Sequence, residues 1–100
     1  MVLEHVDILI HPEQQAAFEV ALKLGVESVI LKSRGFLGYR INRGIETPER
    51  YIVLFYWQTL ENHTVDFRES PAFAAWRAIV GPHFARPPIV EHFNLLDQSL

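Results

Sequence analysis

An indole and an imidazole six positions apart, Trp57 and His63, are the side chains of this sequence best suited to handling an oxygen anion and a proton in apolar surroundings. The indole carries one N–H donor and no acceptor, so it can hydrogen-bond a carbonyl, a phenolate or a peroxide oxygen. Imidazole titrates near neutral pH and is the side chain most often used to accept a substrate proton. Tyr51, Val53, Phe55, Phe67, Phe73 and Trp76 surround this pair in the sequence and are expected to line a pocket for a small aromatic molecule. His63 and Phe67 are four apart and share a helical face, so burial of Phe67 would turn His63 to the same interior. Each of the two also has a structural reading, Trp57 as a core aromatic with a satisfied donor and His63 as a lone structural histidine. Arg68 and Arg77 follow residues of the apolar stripe. They could hold a phenolate or carboxylate, but their expected place is at its edge, in a structural or surface ion pair.

The rest of the composition removes other chemistries. There is no cysteine, and the five histidines include no helical pair at metal-binding spacing, so no metal centre is expected. Gly35, Gly38 and Gly44 are too scattered for a nucleotide-phosphate loop, which removes the usual ground for a flavin or nicotinamide. No cofactor is therefore expected. Nine basic against twelve acidic residues give a net charge of -3 without a basic block, which argues against nucleic acid as a partner. Glu4, His5 and Asp7 interrupt any signal-peptide core and no apolar run is long enough to span a membrane, so the expectation is a cytoplasmic protein with no membrane partner. With 49% hydrophobic residues, residues 1–100 can bury a core as a single domain.

The elements that must position the candidate residues follow from periodicity. Residues Leu3–Ile10 alternate, with Val6, Ile8 and Ile10 on one side, and form a first strand. Pro12 opens a helix whose stripe of Phe18, Leu22, Val26 and Ile30 runs to near Ser33, where Arg34-Gly35 breaks it. Phe36–Ile45 is a second strand with a possible bulge at Gly38, and the polar turn Glu46–Arg50 leads to a third strand, Tyr51–Gln58. Thr59 can cap a helical turn containing His63. Ser70-Pro71 starts the next helix, which stacks Phe73, Trp76, Val80 and Phe84 on one face until Gly81-Pro82 stops it. Residues Ile89–Leu96 close the chain as a fourth strand after Pro87-Pro88. The order βαββαβ predicts an α+β ferredoxin-like sandwich, a four-stranded antiparallel sheet with two helices on one face. The third strand is apolar on both sides, so Ile52, Leu54 and Tyr56 require a cover on the face the helices leave bare. A second copy of the chain is the economical one.

This element order, the third strand ending in Trp57, the Ser70-Pro71-Ala72-Phe73 restart and the strand after a proline-rich approach resemble the antibiotic biosynthesis monooxygenase family of dimeric α/β barrel proteins. The resemblance spans nearly the whole chain. It implies a homodimer with two sheets face to face and a pocket in each subunit between the sheet and its own helices. It also implies a cofactor-independent monooxygenase that uses dioxygen on a small aromatic or polyketide-like substrate, with Trp57 at the family's pocket tryptophan. Haem-degrading members carry an asparagine and a histidine where this chain has Val6 and Phe67, and some polyketide oxygenases carry an asparagine where it has Val53. The alternative is a binding or sensing module that uses the same pocket without a base.

Overall fold

A computed structural model describes all residues from Met1 to Leu100. The order of elements is β1 (Val2–Leu9), α1 (Gln15–Ser28), β2 (Phe36–Arg43), β3 (Arg50–Trp57), α2 (Pro71–Val80) and β4 (Ile89–Asn94). All neighbouring strands are antiparallel and the sheet order is β2-β3-β1-β4, the ferredoxin-like arrangement that the sequence predicts.

The alternation in β1 and β3 decides which face is buried. Val6, Ile8, Tyr51, Val53, Phe55 and Trp57 form the inner face, and Phe18, Leu22 and Val26 of α1 with Trp76 and Val80 of α2 cover it. The two helices touch through Gly25. A Cβ there would lie 2.8 Å from the Trp76 ring, so the glycine sets how far the tryptophan can lean toward α1. On the outer face Ile52, Leu54 and Tyr56 are only half-buried within one chain.

Element boundaries differ from the periodicity in three informative places. The helix expected from Pro12 starts at Gln15, because Glu13 takes a positive φ of 64° in the turn that precedes it. It ends at Ser28 and gives way to a tighter turn, Ile30–Lys32, in which Ser33 N–H reaches Ile30 O at 2.9 Å, so that Ile30 still enters the core. Phe84 leaves the α2 stripe. Pro82 cannot donate to an α-helical ladder, the chain turns through Gly81–His83, and Phe84 instead bridges Ile10 beyond the end of β1. The register between β2 and β3 shifts between Phe36 and Gly38, at the bulge that Gly38 predicts.

Candidate active site

A cavity of about 250 Å³ opens between the inner face of the sheet and the α2 side of the helical layer. Val6, Phe55 and Val90 line it from the sheet, and Phe67, Phe73 and Trp76 from the helices. Glu4 and His63 form its buried end, 6% and 3% exposed, while the solvent-exposed residues Arg68 and Arg77 stand at its mouth.

Glu4 is placed by the same alternation as Val6 and Ile8, which points it into the protein. Its cross-strand neighbours are Phe55 on β3 and His92 on β4. Trp57 lies two residues along β3, diagonal to Glu4, and donates its indole N–H to Glu4 Oε1 at 3.0 Å. His63 Nε2 lies 3.3 Å from Glu4 Oε2, and His63 Nδ1 lies 2.8 Å from His92 Nε2.

His63 comes from a wide helical turn, Asn62–Phe67, closed by a bond from Arg68 N–H to His63 O at 3.0 Å, one residue longer than the α-helical repeat. Reciprocal bonds anchor the turn. Asn62 N–H reaches Thr59 Oγ1 at 3.2 Å, Thr59 N–H reaches Asn62 Oδ1 at 3.1 Å, and Asn62 Nδ2 donates to Asp66 Oδ2 at 3.0 Å. Thr59 thus caps as the sequence indicates. The Asn62 side chain packs directly on Gly35, whose φ of 77° and missing Cβ both suit glycine alone. His63 is then held flat. Its ring stacks on Trp57 at 5.4 Å and 27° and on Phe67 at 6.1 Å and 26°.

Burial sets the protonation of this end of the cavity. It pushes the Glu4 carboxyl up to about 7, against the opposing pull of the Trp57 N–H and the Arg68 charge. It also pushes His63 down to about 3, with the Arg68 and His92 charges acting in the same direction. His92 is lowered for the same reasons, burial first and Arg68 second. Glu4 and His63 are therefore a carboxyl–imidazole contact carrying at most one charge, not an ion pair. At neutral pH the group poised to exchange a proton is the carboxyl. No three acidic or histidine side chains converge in a way suited to a metal ion.

Phe55, His63, Phe67, Phe73 and Trp76 come together around the cavity. Trp57 sits beneath it, fully buried, with its N–H on Glu4 rather than open to a ligand. Tyr51 and Val53 are fully buried in the core and do not reach the cavity wall. Tyr51 instead packs on Phe18 at 4.8 Å and donates its hydroxyl to Glu19 at 2.6 Å, and burial together with that carboxylate pushes it up to about 12. The ion pairs expected of Arg68 and Arg77 are not formed. The ion pairs of the chain are Arg43–Glu19, Arg50–Asp7 and Arg86–Asp7, and both rim arginines are outside them and outside the His63–Glu4 contact. The Arg77 guanidinium lies 5.8 Å over the Phe73 ring. Sequence reasoning missed Glu4 and left His92 without a role. The available signal was parity: Glu4 shares the buried side of β1 with Val6 and Ile8, an unusual place for a carboxylate.

Comparison with known proteins bears on this arrangement. The family model for antibiotic biosynthesis monooxygenase matches residues 1–79. The chain is similar to a candidate antibiotic biosynthesis monooxygenase from Bordetella bronchiseptica, 38% identical, with 95% of this chain and 96% of that one covered and a TM-score of 0.89. It is also similar to the uncharacterised Bacillus subtilis protein YczJ, 32% identical over 66 residues, which are 66% of this chain and 70% of YczJ. A Streptomyces coelicolor monooxygenase solved with nanaomycin D shares the fold at a TM-score of 0.82 and 19% identity, covering 99% of this chain and 90% of that one.

Proposed function

The chain belongs to the antibiotic biosynthesis monooxygenase family, and from that premise we propose that it is a cofactor-independent monooxygenase in which Glu4 is the proton acceptor for a small hydroxylated aromatic substrate. The observation that carries this reading is a buried carboxyl at the end of an aromatic cavity, raised by burial to about 7. A base works best when its pKa lies near the working pH, and this carboxyl meets that condition. The cavity of about 250 Å³ is just below the range of drug-sized sites, which favours one or two rings over a large polycycle.

The reaction balances without an external reductant. A ring methylene carbon flanked by phenolic or carbonyl groups loses a proton to Glu4 and becomes an electron-rich anion, which passes electrons to dioxygen and forms a carbon–oxygen bond. The hydroperoxide takes the proton back and loses water, so that one ring methylene and one dioxygen give one ring carbonyl and one water. The protein supplies position and environment. Trp57 holds the carboxylate through its N–H, His63 fixes the second oxygen, and the walls of Phe55, Phe67, Phe73 and Trp76 exclude water. Arg68 and Arg77 at the mouth attract the phenolate form of the substrate. Tyr51 and Val53 support the floor from the core. The ligand-bound Streptomyces structure supports a small-molecule pocket in this fold. A homodimer through the outer sheet face is part of the same reading.

Incubation with hydroxylated tetralones, and with naphthols whose keto tautomers carry the ring methylene, under labelled dioxygen tests it. The expected product carries one labelled oxygen per molecule, with one dioxygen consumed. Tight binding of these compounds with no oxygen uptake would replace the enzyme by a binding module.

A further inference from the structure

We propose that Glu4, His63 and His92 form a two-step proton wire through which solvent at the β4 edge sets the protonation state of Glu4, His63 exchanging tautomer as the proton passes. The inference rests on the reading of Glu4 as the reactive group of the cavity.

The contacts are continuous. Glu4 and His92 face each other across the β1–β4 pair, and the His63 ring bridges them, with Nε2 at 3.3 Å from Glu4 Oε2 and Nδ1 at 2.8 Å from His92 Nε2. One end is sealed and the other is open. Glu4 is 6% exposed, whereas β4 is an edge strand and His92 is only partly buried. His92 Nδ1 bonds to no protein group, and no buried side-chain nitrogen or oxygen of the chain lacks a partner, so this nitrogen meets water.

The valences of the two imidazoles leave two arrangements in which each contact pairs one proton with one lone pair. In the first, Glu4 is a carboxylate that accepts from Trp57 N–H and from His63 Nε2–H, and His63 Nδ1 accepts from His92 Nε2–H. In the second, Glu4 is protonated and donates to His63 Nε2, His63 Nδ1–H donates to His92 Nε2, and the His92 proton sits on Nδ1. A proton added at His92 Nδ1 converts the first into the second. The His92 Nε2 proton moves to His63 Nδ1, and the His63 Nε2 proton moves to Glu4 Oε2. One proton enters, no heavy-atom bond changes, and the reverse sequence discharges Glu4. An occupied cavity shuts Glu4 off from water, and this route stays open because it runs through the other side of the site. The charged groups facing the network are Arg68 and Arg77 at the rim, while His5, Asp7 and Glu91 lie on the opposite face of the sheet.

Nitrogen and carboxyl NMR on the ligand-free protein labelled in histidine and glutamate tests the wire without any substrate, so its outcome is independent of whether the protein consumes oxygen. As the pH is lowered through the Glu4 titration, the pyrrole-like and pyridine-like resonances of His63 should exchange between Nε2 and Nδ1 with the same midpoint as the Glu4 carboxyl shift. In His92→Phe, which can neither donate to nor accept from His63 Nδ1, that exchange should be lost; His92→Leu serves if the phenylalanine variant does not fold. A His63 ring that keeps one tautomer while Glu4 titrates in the wild type would overturn the proposal. So would a tautomer exchange that persists unchanged in whichever of these variants folds.

Discussion

Glu4 is the residue on which the site turns, and its environment makes a prediction about stability before any substrate is known. Its carboxyl rises from 4.5 in the unfolded chain to about 7 when folded, so the folded protein holds the proton more tightly. The associated stability is complete below pH 4.5 and is lost as the pH rises to about 7, roughly 3 kcal/mol for a shift of this size. His63 acts in the opposite sense. Its fall from 6.5 to about 3 gives stability that is present above pH 6.5 and lost as the pH drops through that range. Glu4→Gln removes the first effect and keeps an acceptor for Trp57. Its melting temperature should exceed that of the wild type at pH 8, and the two should converge at pH 4.5; parallel curves across this range would show that Glu4 is not buried as a titrating group. Parity on β1 is enough to place Val6 and Ile8 inside, and it places Glu4 there too. The partners were not legible, because Trp57 is 53 positions away in sequence and pairing register alone brings its indole diagonal to Glu4.

The turn Asn62–Phe67 positions the imidazole, and at this scale the sequence is informative at the ends and silent in the middle. Thr59 as a cap, Ser70 as the next cap and Pro71 at the first helical position were all readable, since each is a local signature. The extra residue in the wide turn has no such signature. It follows from Asn62 being fastened at once to Thr59, to Asp66 and against Gly35. Gly35→Ala should therefore act at a distance. A Cβ at a φ of 77° is strained, and it would also collide with the Asn62 side chain. We expect a loss of about 1–3 kcal/mol in denaturant unfolding and weaker hydrogen bonding at His63, seen as a shifted imidazole resonance. An alanine variant with wild-type stability and an unmoved His63 would show that the Asn62 anchor does not set the ring.

For the whole molecule, the βαββαβ order and the sheet were legible because apolar alternation, capping residues and prolines agree along the chain. The outer sheet face was legible only as an excess of apolar side chains. Ile52, Leu54 and Tyr56 form an apolar strip along β3 that extends through Leu3 to Phe93, 49% exposed within one chain, while Asp7 and His5 interrupt the neighbouring rows. A homodimer that buries this strip is the expected state in sedimentation at micromolar concentration. Leu54→Asp, which sets a carboxylate in its centre beside His5, should yield monomers; a wild-type monomer would contradict the assignment of this face. The cavity lies on the other side of the sheet, and there the sheet, α2 and the wide turn jointly close an aromatic space around one carboxyl. That joint product is tested most directly by the pH dependence of oxygen uptake with a small hydroxylated aromatic, in the wild type and in Glu4→Gln. We predict that kcat/KM for the wild type rises through a single ionisation near 7 and that the glutamine variant falls at least a hundredfold at every pH. A glutamine variant that consumes oxygen at the wild-type rate, with the same pH profile, would contradict Glu4 as the base.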